Sequence, residues 1–293
     1  MAFSRIGLVA RQGLQGAAGV LAEITGWLQA RELQVVFDTE TAVLAGAPST
    51  WPIATRDDLP KHVDLIVVLG GDGTLLGMAN RIANAGADIP ILGINFGSLG
   101  FLTEVTLEEV LPALTAVIDG SAPLHERMML RGQVLRQGRV ADDRLALNDI
   151  VVNRGSMSRI VDMAISAGGE FVTDVRADGL IITTPTGSTA YNLAAGGPIV
   201  HPDVDALVLT PIAPHTLTYR PIVIPATLEV RIKPVVDGGT DELYATFDGQ
   251  HGVPLEAADE VVVTRAAQRM KLVRASNRTY FDVLRQKLKW GQR

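Results

Sequence analysis

Apolar positions fall into short unbroken runs over the first third of the chain and into alternation over much of the rest. RIGLVA (Arg5 to Ala10), LQVVFD (Leu33 to Asp38), DLIVVL (Asp64 to Leu69) and PILGIN (Pro90 to Asn95) are four such runs, too short for helices. Strands of a parallel sheet covered on both sides read this way, because neither face has to be polar. The stretch from Gly16 to Ala30 carries Val20, Leu21, Ile24, Trp27 and Leu28 at helical spacing, and LLGMANRIANA forms a second helical segment after the third run. The order strand, helix, strand, strand, helix, strand predicts a doubly wound α/β domain over residues 1–120.

Past about Gly120 the period changes. ATLEVRIK sets Leu228, Val230 and Ile232 against Glu229, Arg231 and Lys233, the pattern of a strand with one wet face. MMLRGQVLR, ALNDIVVNR, IVDMAISA, LYATFDG and DEVVVTR are further strand candidates, and a helix is expected only around Ser188 to Ala195. Residues 121–274 are therefore expected to form a mainly antiparallel β domain. The last stretch, NRTYFDVLRQKLKWG, returns to helical spacing through Phe281, Leu284 and Leu288, which predicts a closing helix within 275–293 that completes the first domain.

Composition narrows the chemistry. A chain of 293 residues, 47% hydrophobic and 20% charged, has the makeup of a soluble globular protein with room for two domains. The formal net charge of −6 argues against a broad basic face for nucleic acid or an anionic membrane, so any phosphate has to be met by a local pocket. The absence of cysteine removes disulfides, thiolate metal sites and a catalytic thiol, and fits a reducing cytoplasm. His62, His125, His201, His215 and His251 are scattered without metal-ligand spacing. The first residues hold no signal-peptide core, and nowhere do 18 apolar residues run together; the expected location is cytoplasmic.

Four turns carry candidate chemistry. In DLIVVLGGDGT, Gly70, Gly71 and Gly73 lie where a buried parallel strand ends, the place where open α/β sheets bind ligands. Glycines there allow positive φ and close approach of a phosphate, with N–H groups of the turn and of the following helix pointing at it. Without GK[ST] this is no Walker A loop, so Asp72 reads either as a helix cap or as the base of a kinase that leaves charge neutralisation to a metal ion and backbone amides. In GINFGSLGFL, Asn95 ends a strand, and Gly97 and Gly100 would let backbone approach a ligand or the first loop; a packing turn anchored by Phe101 and Leu102 fits as well. Asn148 and Asp149 form a two-residue polar break in a strand pattern, a bulge or strand end able to bind a diol, or a plain turn. Finally, LIITTPTGSTAYNLAAGGP offers Thr and Ser hydroxyls that cap a helix or meet adenine and phosphate, and Tyr191 offers a stacking face.

Taken in order, GGDGT, NFGSLGFL, LND, DGLIITTPTGSTAYNLAAGGPI, PHTLTYRPIVIP, FDGQ and YFDVLRQKLKWG resemble the bacterial NAD kinase family over nearly the whole chain, least over residues 1–60 and 105–140. GGDGT alone also resembles the loop of lipid kinases and is related to that of phosphofructokinases; TPTGSTAY with LND is the more specific part. The resemblance implies ATP-dependent phosphorylation of the adenosine-ribose 2′-hydroxyl of NAD, with Asp72 as catalytic base and Gly70, Gly71, Gly73 and Thr74 as the phosphate loop. Asn95 and Gly97 would form a supporting loop, and residues 121–274 the dinucleotide-binding domain. It implies that Asn148 and Asp149 bind a ribose diol, that Thr189, Ala190 and Tyr191 form an adenosine-binding stretch with Asn192 a further NAD-binding position, and that Asp178 helps hold the nicotinamide end. Arg159, Arg176 and Gln250 fall at dinucleotide-contacting positions, and Arg176 tilts the choice toward NAD over NADH. Mg²⁺ is implied as the partner of ATP, without ligands fixed by side chains, and the assembly as a homodimer or homotetramer. ATP and inorganic polyphosphate both stay open as donors, and so does feedback by NADPH. The alternatives are another GGDGT-type kinase acting on a lipid or sugar, and a non-catalytic dinucleotide-sensing module.

Overall fold

The computed structural model describes residues 3–155, 160–216, 218–235, 243–256 and 258–291. The chain divides into two units, Met1–Glu126 with Met270–Arg293, and Arg127–Arg269.

The first unit opens with β1 (Arg5–Ala10), α1 (Ala17–Gln29), β2 (Gln34–Asp38), α2 (Thr39–Ala45) and β3 (Ile53–Ala54), followed by β4 (Leu65–Gly70), α3 (Asp72–Asn84), β5 (Pro90–Asn95) and α4 (Val110–Ile118). Its strands pair in parallel in the order β5, β4, β1, β2, β3. β1, β4 and β5 are apolar on both faces for the reason the sequence suggests. Ile6, Leu8, Leu65, Val67 and Leu92 pack with Leu21, Ile24 and Leu28 of α1 and with Val110 and Leu114 of α4. The alternate residues Ile66, Val68 and Ile91 are equally buried. The LQVVFD run ends in a cap: Asp38 accepts hydrogen bonds from the N–H groups of Glu40 and Thr41 at 2.8 and 2.9 Å and so starts α2, which periodicity did not predict.

The second unit is antiparallel β. The chain passes through β6 (Leu124–Arg136), β7 (Arg139–Ala146), β8 (Asp149–Arg154), β9 (Val161–Ala167), β10 (Glu170–Ala177) and β11 (Gly179–Thr183), then the short helix α5 (Tyr191–Ala194). It continues with β12 (Ala206–Ile212), β13 (Ile222–Pro225), β14 (Val230–Val235), β15 (Leu243–Phe247), β16 (His251–Leu255) and β17 (Glu260–Val273). One sheet runs β13, β12, β11, β8, β15, β16. In the other, β14 lies between β9 and β17, and β10 pairs with β9. Their inward residues, among them Met128, Ile150, Val152, Met163, Leu180, Ile182, Ile232 and Phe247, form one core. Met270–Val273, the end of β17, belongs to the first unit, where Lys271 and Leu272 pair in parallel with Pro90 and Ile91. The closing helix α6 (Tyr280–Leu288) follows in the same unit.

Three expectations change. The helix after the glycine loop begins at Asp72 rather than at Leu75, because Gly71 is extended and the helical bonds start directly behind it. The helix around 188–195 shrinks to a 3₁₀ turn, Gly187–Thr189, and the four residues of α5. In α6, Val283 and Leu284 are buried while Phe281 is exposed, since the capping box of Thr279 and Asp282 sets the helix start and with it the inward face.

Candidate active site

In the first unit the candidate residues collect at the C-terminal edge of the parallel sheet. Gly70 ends β4, Asn95 ends β5 directly opposite it, and Asp72 occupies the first turn of α3. None of Gly70, Gly71 and Gly73 adopts the positive φ that the sequence allows. Their use is space: a β-carbon at Gly71 or Gly73 would meet nothing within 4 Å. Gly70 is tighter, with Oγ1 of Thr74 2.8 Å from where a β-carbon would stand.

Asp72 is held, not loose. Its Oδ2 accepts the N–H of Phe101 at 2.8 Å. Its Oδ1 accepts the N–H groups of Leu102 and Thr103 at 3.1 and 3.0 Å and the Thr103 hydroxyl at 2.9 Å. The second glycine turn is therefore the clamp of the first. Gly100 is required for this approach, since a β-carbon there would lie 2.0 Å from Oδ1 of Asp72. Gly97, by contrast, has open space around it. The clamp is anchored from below: buried Glu104 accepts Nε and Nη2 of Arg274 at 3.2 and 3.1 Å, and its carbonyl accepts Nη1 of Arg278 at 3.1 Å.

In the second unit three turns meet at one end of a sheet. Thr183 at the end of β11 pairs with Asp149 at the start of β8, and Phe247 at the end of β15 pairs with Ile150. The LND break between β7 and β8 is sewn to the TPTGST turn by Thr183 and Thr184, whose hydroxyls donate to the carbonyls of Asn148 and Leu147 at 2.8 and 2.7 Å. Gly187 lies so close that a β-carbon would stand 2.3 Å from the Asn148 carbonyl oxygen. From the third turn, Asp248 accepts three consecutive N–H groups, those of Leu147, Asn148 and Asp149, at 2.8, 2.7 and 3.1 Å. Asp248 and Gly249 are both left-handed, at φ 51° and 64°. With Gln250 N–H bonded to the Phe247 carbonyl, they form the tight turn between β15 and β16.

This scaffold presents two unusual acceptors. Oδ1 of Asn148 is buried with no hydrogen-bond partner among the described residues. Asp149 is only 5% exposed, and burial, helped by the negative charge of Asp248, pushes its carboxyl up to about 7. Buried acceptors of this kind are costly unless a ligand brings donors to them.

Residues 6–122 match the family model of the ATP-NAD kinase N-terminal domain, and residues 147–275 that of the ATP-NAD kinase C-terminal domain. The chain belongs to the NAD kinase family. The NAD kinase of Geotalea daltonii is 45% identical over 275 residues, covering 94% of each chain. That of Geobacter metallireducens is 47% identical over 275 residues, again covering 94% of each. Among solved structures, the yeast NADH kinase complexed with NADH is 25% identical with a TM-score of 0.89, over 100% of this chain and 89% of that one. An NAD kinase from Archaeoglobus fulgidus in complex with ATP is also 25% identical, with a TM-score of 0.75 over 96% of this chain and 99% of that one. As an NAD kinase the chain is a phosphotransferase.

Within this NAD kinase the remaining candidates fare differently. Tyr191 is 45% exposed and offers its ring, and Thr189 and Ala190 are half-buried beside it. Asn192 is fully buried, its Nδ2 donates to the carbonyls of Ser188 and Pro198, and its Oδ1 accepts from Thr210. With its side chain so engaged, it shapes the loop. Arg176 is exposed on β10 with its Nε 3.6 Å from Asp162. Asp178 is half-buried between β10 and β11, and Gln250 is exposed on the tight turn. Arg159 lies outside the described residues.

Several residues that bear on the site were not singled out from sequence. Thr103 holds the Asp72 cluster of the first unit in shape, and Thr183, Thr184 and Asp248 hold the LND turn of the second; Cβ of exposed Arg11, just past β1, lies 3.2 Å from where a β-carbon on Gly70 would be. Only Arg11 carries a readable signal, a cation directly following an apolar run at the ligand edge of a parallel sheet.

Proposed function

We propose that the chain transfers the γ-phosphate of ATP to the 2′-hydroxyl of the adenosine ribose of NAD, with Asp72 as the general base. The observation that carries this role is the Asp72 carboxylate itself. It is fixed by four hydrogen bonds at the opening of α3, beside two glycines with space on the Cβ side, and Oδ2 keeps one acceptor position for an incoming hydroxyl. As the acceptor oxygen attacks, its proton passes to Asp72, while N–H groups at the start of α3 face the phosphates. Gly70, Gly71, Gly73 and Thr74 line that approach. Asn95 and Gly97 shape the supporting loop.

In the same reading the acceptor atoms of Asn148 and Asp149 take the hydroxyls of a ribose diol, and Thr189, Ala190 and Tyr191 receive adenosine. Asp178, Arg176, Arg159 and Gln250 meet the rest of the dinucleotide, with Arg176 favouring NAD over NADH. Among the described residues no group of three or more His, Asp or Glu side chains is placed to hold a metal. Mg²⁺ enters with ATP, as part of the donor substrate, because the triphosphate and the Asp72 carboxylate repel each other without a cation. The working form is a cytoplasmic homodimer or homotetramer; no helix among the described residues is long and apolar enough to cross a membrane.

The test is to incubate the protein with NAD, ATP and Mg²⁺ and to detect NADP with an NADP-specific dehydrogenase, with Asp72→Asn run in parallel. We expect the variant to bind NAD normally and to lose roughly 10²- to 10⁴-fold in kcat; near-normal turnover would remove Asp72 as the base.

A further inference from the structure

The two oxygens of Asp72 keep unequal company. Oδ1 accepts from Leu102 N–H, Thr103 N–H and the Thr103 hydroxyl, whereas Oδ2 accepts only from Phe101 N–H. Each carboxylate oxygen has about two lone-pair sites, so Oδ1 is saturated and Oδ2 retains room for one more hydrogen.

The direction of the Thr103 hydroxyl follows from its other neighbour. Oδ1 of Asn95 accepts the Gly97 N–H at 2.7 Å, which fixes which way the Asn95 amide faces. Its Nδ2 then donates to the Ser98 carbonyl at 2.7 Å and to Oγ1 of Thr103 at 3.1 Å. Because Oγ1 already receives a hydrogen from Asn95, its own hydrogen goes to Asp72. Thr103 is fully buried, so no water competes for either bond. Asn95, Thr103 and Asp72 thus form a directed chain of donors that ends on one carboxylate oxygen.

We infer that Thr103 is a positioning residue for phosphoryl transfer, its hydroxyl adding a third donor to Oδ1 of Asp72 and so leaving Oδ2, which has one, as the oxygen that takes the substrate proton. The inference rests on the reading of Asp72 as the base, and goes beyond it by naming the oxygen and the side chain that selects it. The Leu102 and Thr103 amides alone would still hold the carboxylate near its place. Without the hydroxyl, the donor chain from Asn95 no longer reaches Oδ1, and backbone amides alone set the angle of the carboxylate.

The experiment compares Thr103→Val, which keeps shape and loses the hydroxyl, with Thr103→Ser, which keeps the hydroxyl, and with Asp72→Asn, in the NAD, ATP and Mg²⁺ assay. Thr103→Ala serves as a second hydroxyl-free variant should valine fail to fold, with thermal melting as the check. We expect the hydroxyl-free variant to lose roughly ten- to a hundredfold in kcat with KM for NAD within about twofold, and the serine variant to stay within about threefold of the parent. An inactive Asp72→Asn beside a hydroxyl-free Thr103 variant of parental kcat overturns the inference and leaves the base in place. Equal losses in the serine and hydroxyl-free variants also overturn it, because packing and not the hydroxyl would then be responsible. An active Asp72→Asn removes the base reading instead, whatever the Thr103 variants do.

Discussion

Replacing Asp149 by asparagine should make the protein more stable and a worse kinase, and the gain should depend on pH. Burial and the nearby charge of Asp248 disfavour the ionised carboxyl in the folded chain and push it from its ordinary value of 3.8 up to about 7. The folded state therefore keeps a proton that the unfolded state releases, so stability falls as pH rises between these values and stays level above about 7. At about 1.4 kcal/mol for each pH unit, the burden is about 2 kcal/mol at pH 5 and about 4 kcal/mol at pH 8. Asparagine has nearly the same shape and no charge to bury. Urea melts of parent and variant at pH 5 and pH 8 should therefore show a stability difference larger by about 2–3 kcal/mol at the higher pH, in favour of Asp149→Asn. Catalysis should move the opposite way, with KM for NAD rising because a neutral amide cannot accept both hydroxyls of a diol as a carboxylate does. A stability difference that is equal at the two pH values, or that favours the parent more at pH 8, would refute the argument. It would mean that the carboxylate is solvated in a way the fold does not display.

Further outcomes follow from close contacts and exposure. Gly100→Ala would put a β-carbon 2.0 Å from Oδ1 of Asp72, and the carboxylate has to move; we expect kcat to fall on the order of a hundredfold with an unchanged circular dichroism spectrum, and a loss under threefold would show that the clamp adapts. Tyr191→Ala removes a ring that is 45% exposed, so stability should change little while KM for NAD rises roughly ten- to a hundredfold, consistent with loss of one base-stacking contact; an unchanged KM would end the stacking role. Because diol binding calls for the ionised form of Asp149, calorimetry in two buffers of different ionisation enthalpy near pH 6.5 should detect proton release on binding NAD, and none in Asp149→Asn.

Much of the architecture was legible because it rests on local pattern. RIGLVA and PILGIN coincide with β1 and β5 to the residue, since a strand buried on both faces has no polar position to blur its ends. The alternation in ATLEVRIK survives as buried Val230 and Ile232 beside the wetter Arg231 and Lys233. The glycine turn around Asp72 was also visible, as a chemical oddity at a strand end. What stayed hidden is what distant residues do for one another. Thr103 reaches Asp72 across 31 positions, and Asp248 reaches the LND turn across about a hundred. No spacing rule connects them. Asn192 is a further case: nothing in the sequence of its motif shows that its amide bonds Thr210, Ser188 and Pro198. The helix α2 was missed because its cap, Asp38, also closes an apolar run and so read as the end of a strand.

The tight turn at Asp248 restricts what this chain can become by drift. Its left-handed backbone, at φ 51°, is cheap for Gly, Asn and Asp and strained for most other residues. The three N–H groups converging on its side chain ask for two acceptor oxygens one carbon beyond Cβ. Glycine meets the first demand and offers no oxygen for the second. Asparagine also meets the first, but turns a donor toward one of the amides; glutamate brings two oxygens on too long an arm and pays the backbone strain as well. The two requirements overlap at a single side chain, so a position that need touch no substrate is as closed to substitution as one that does.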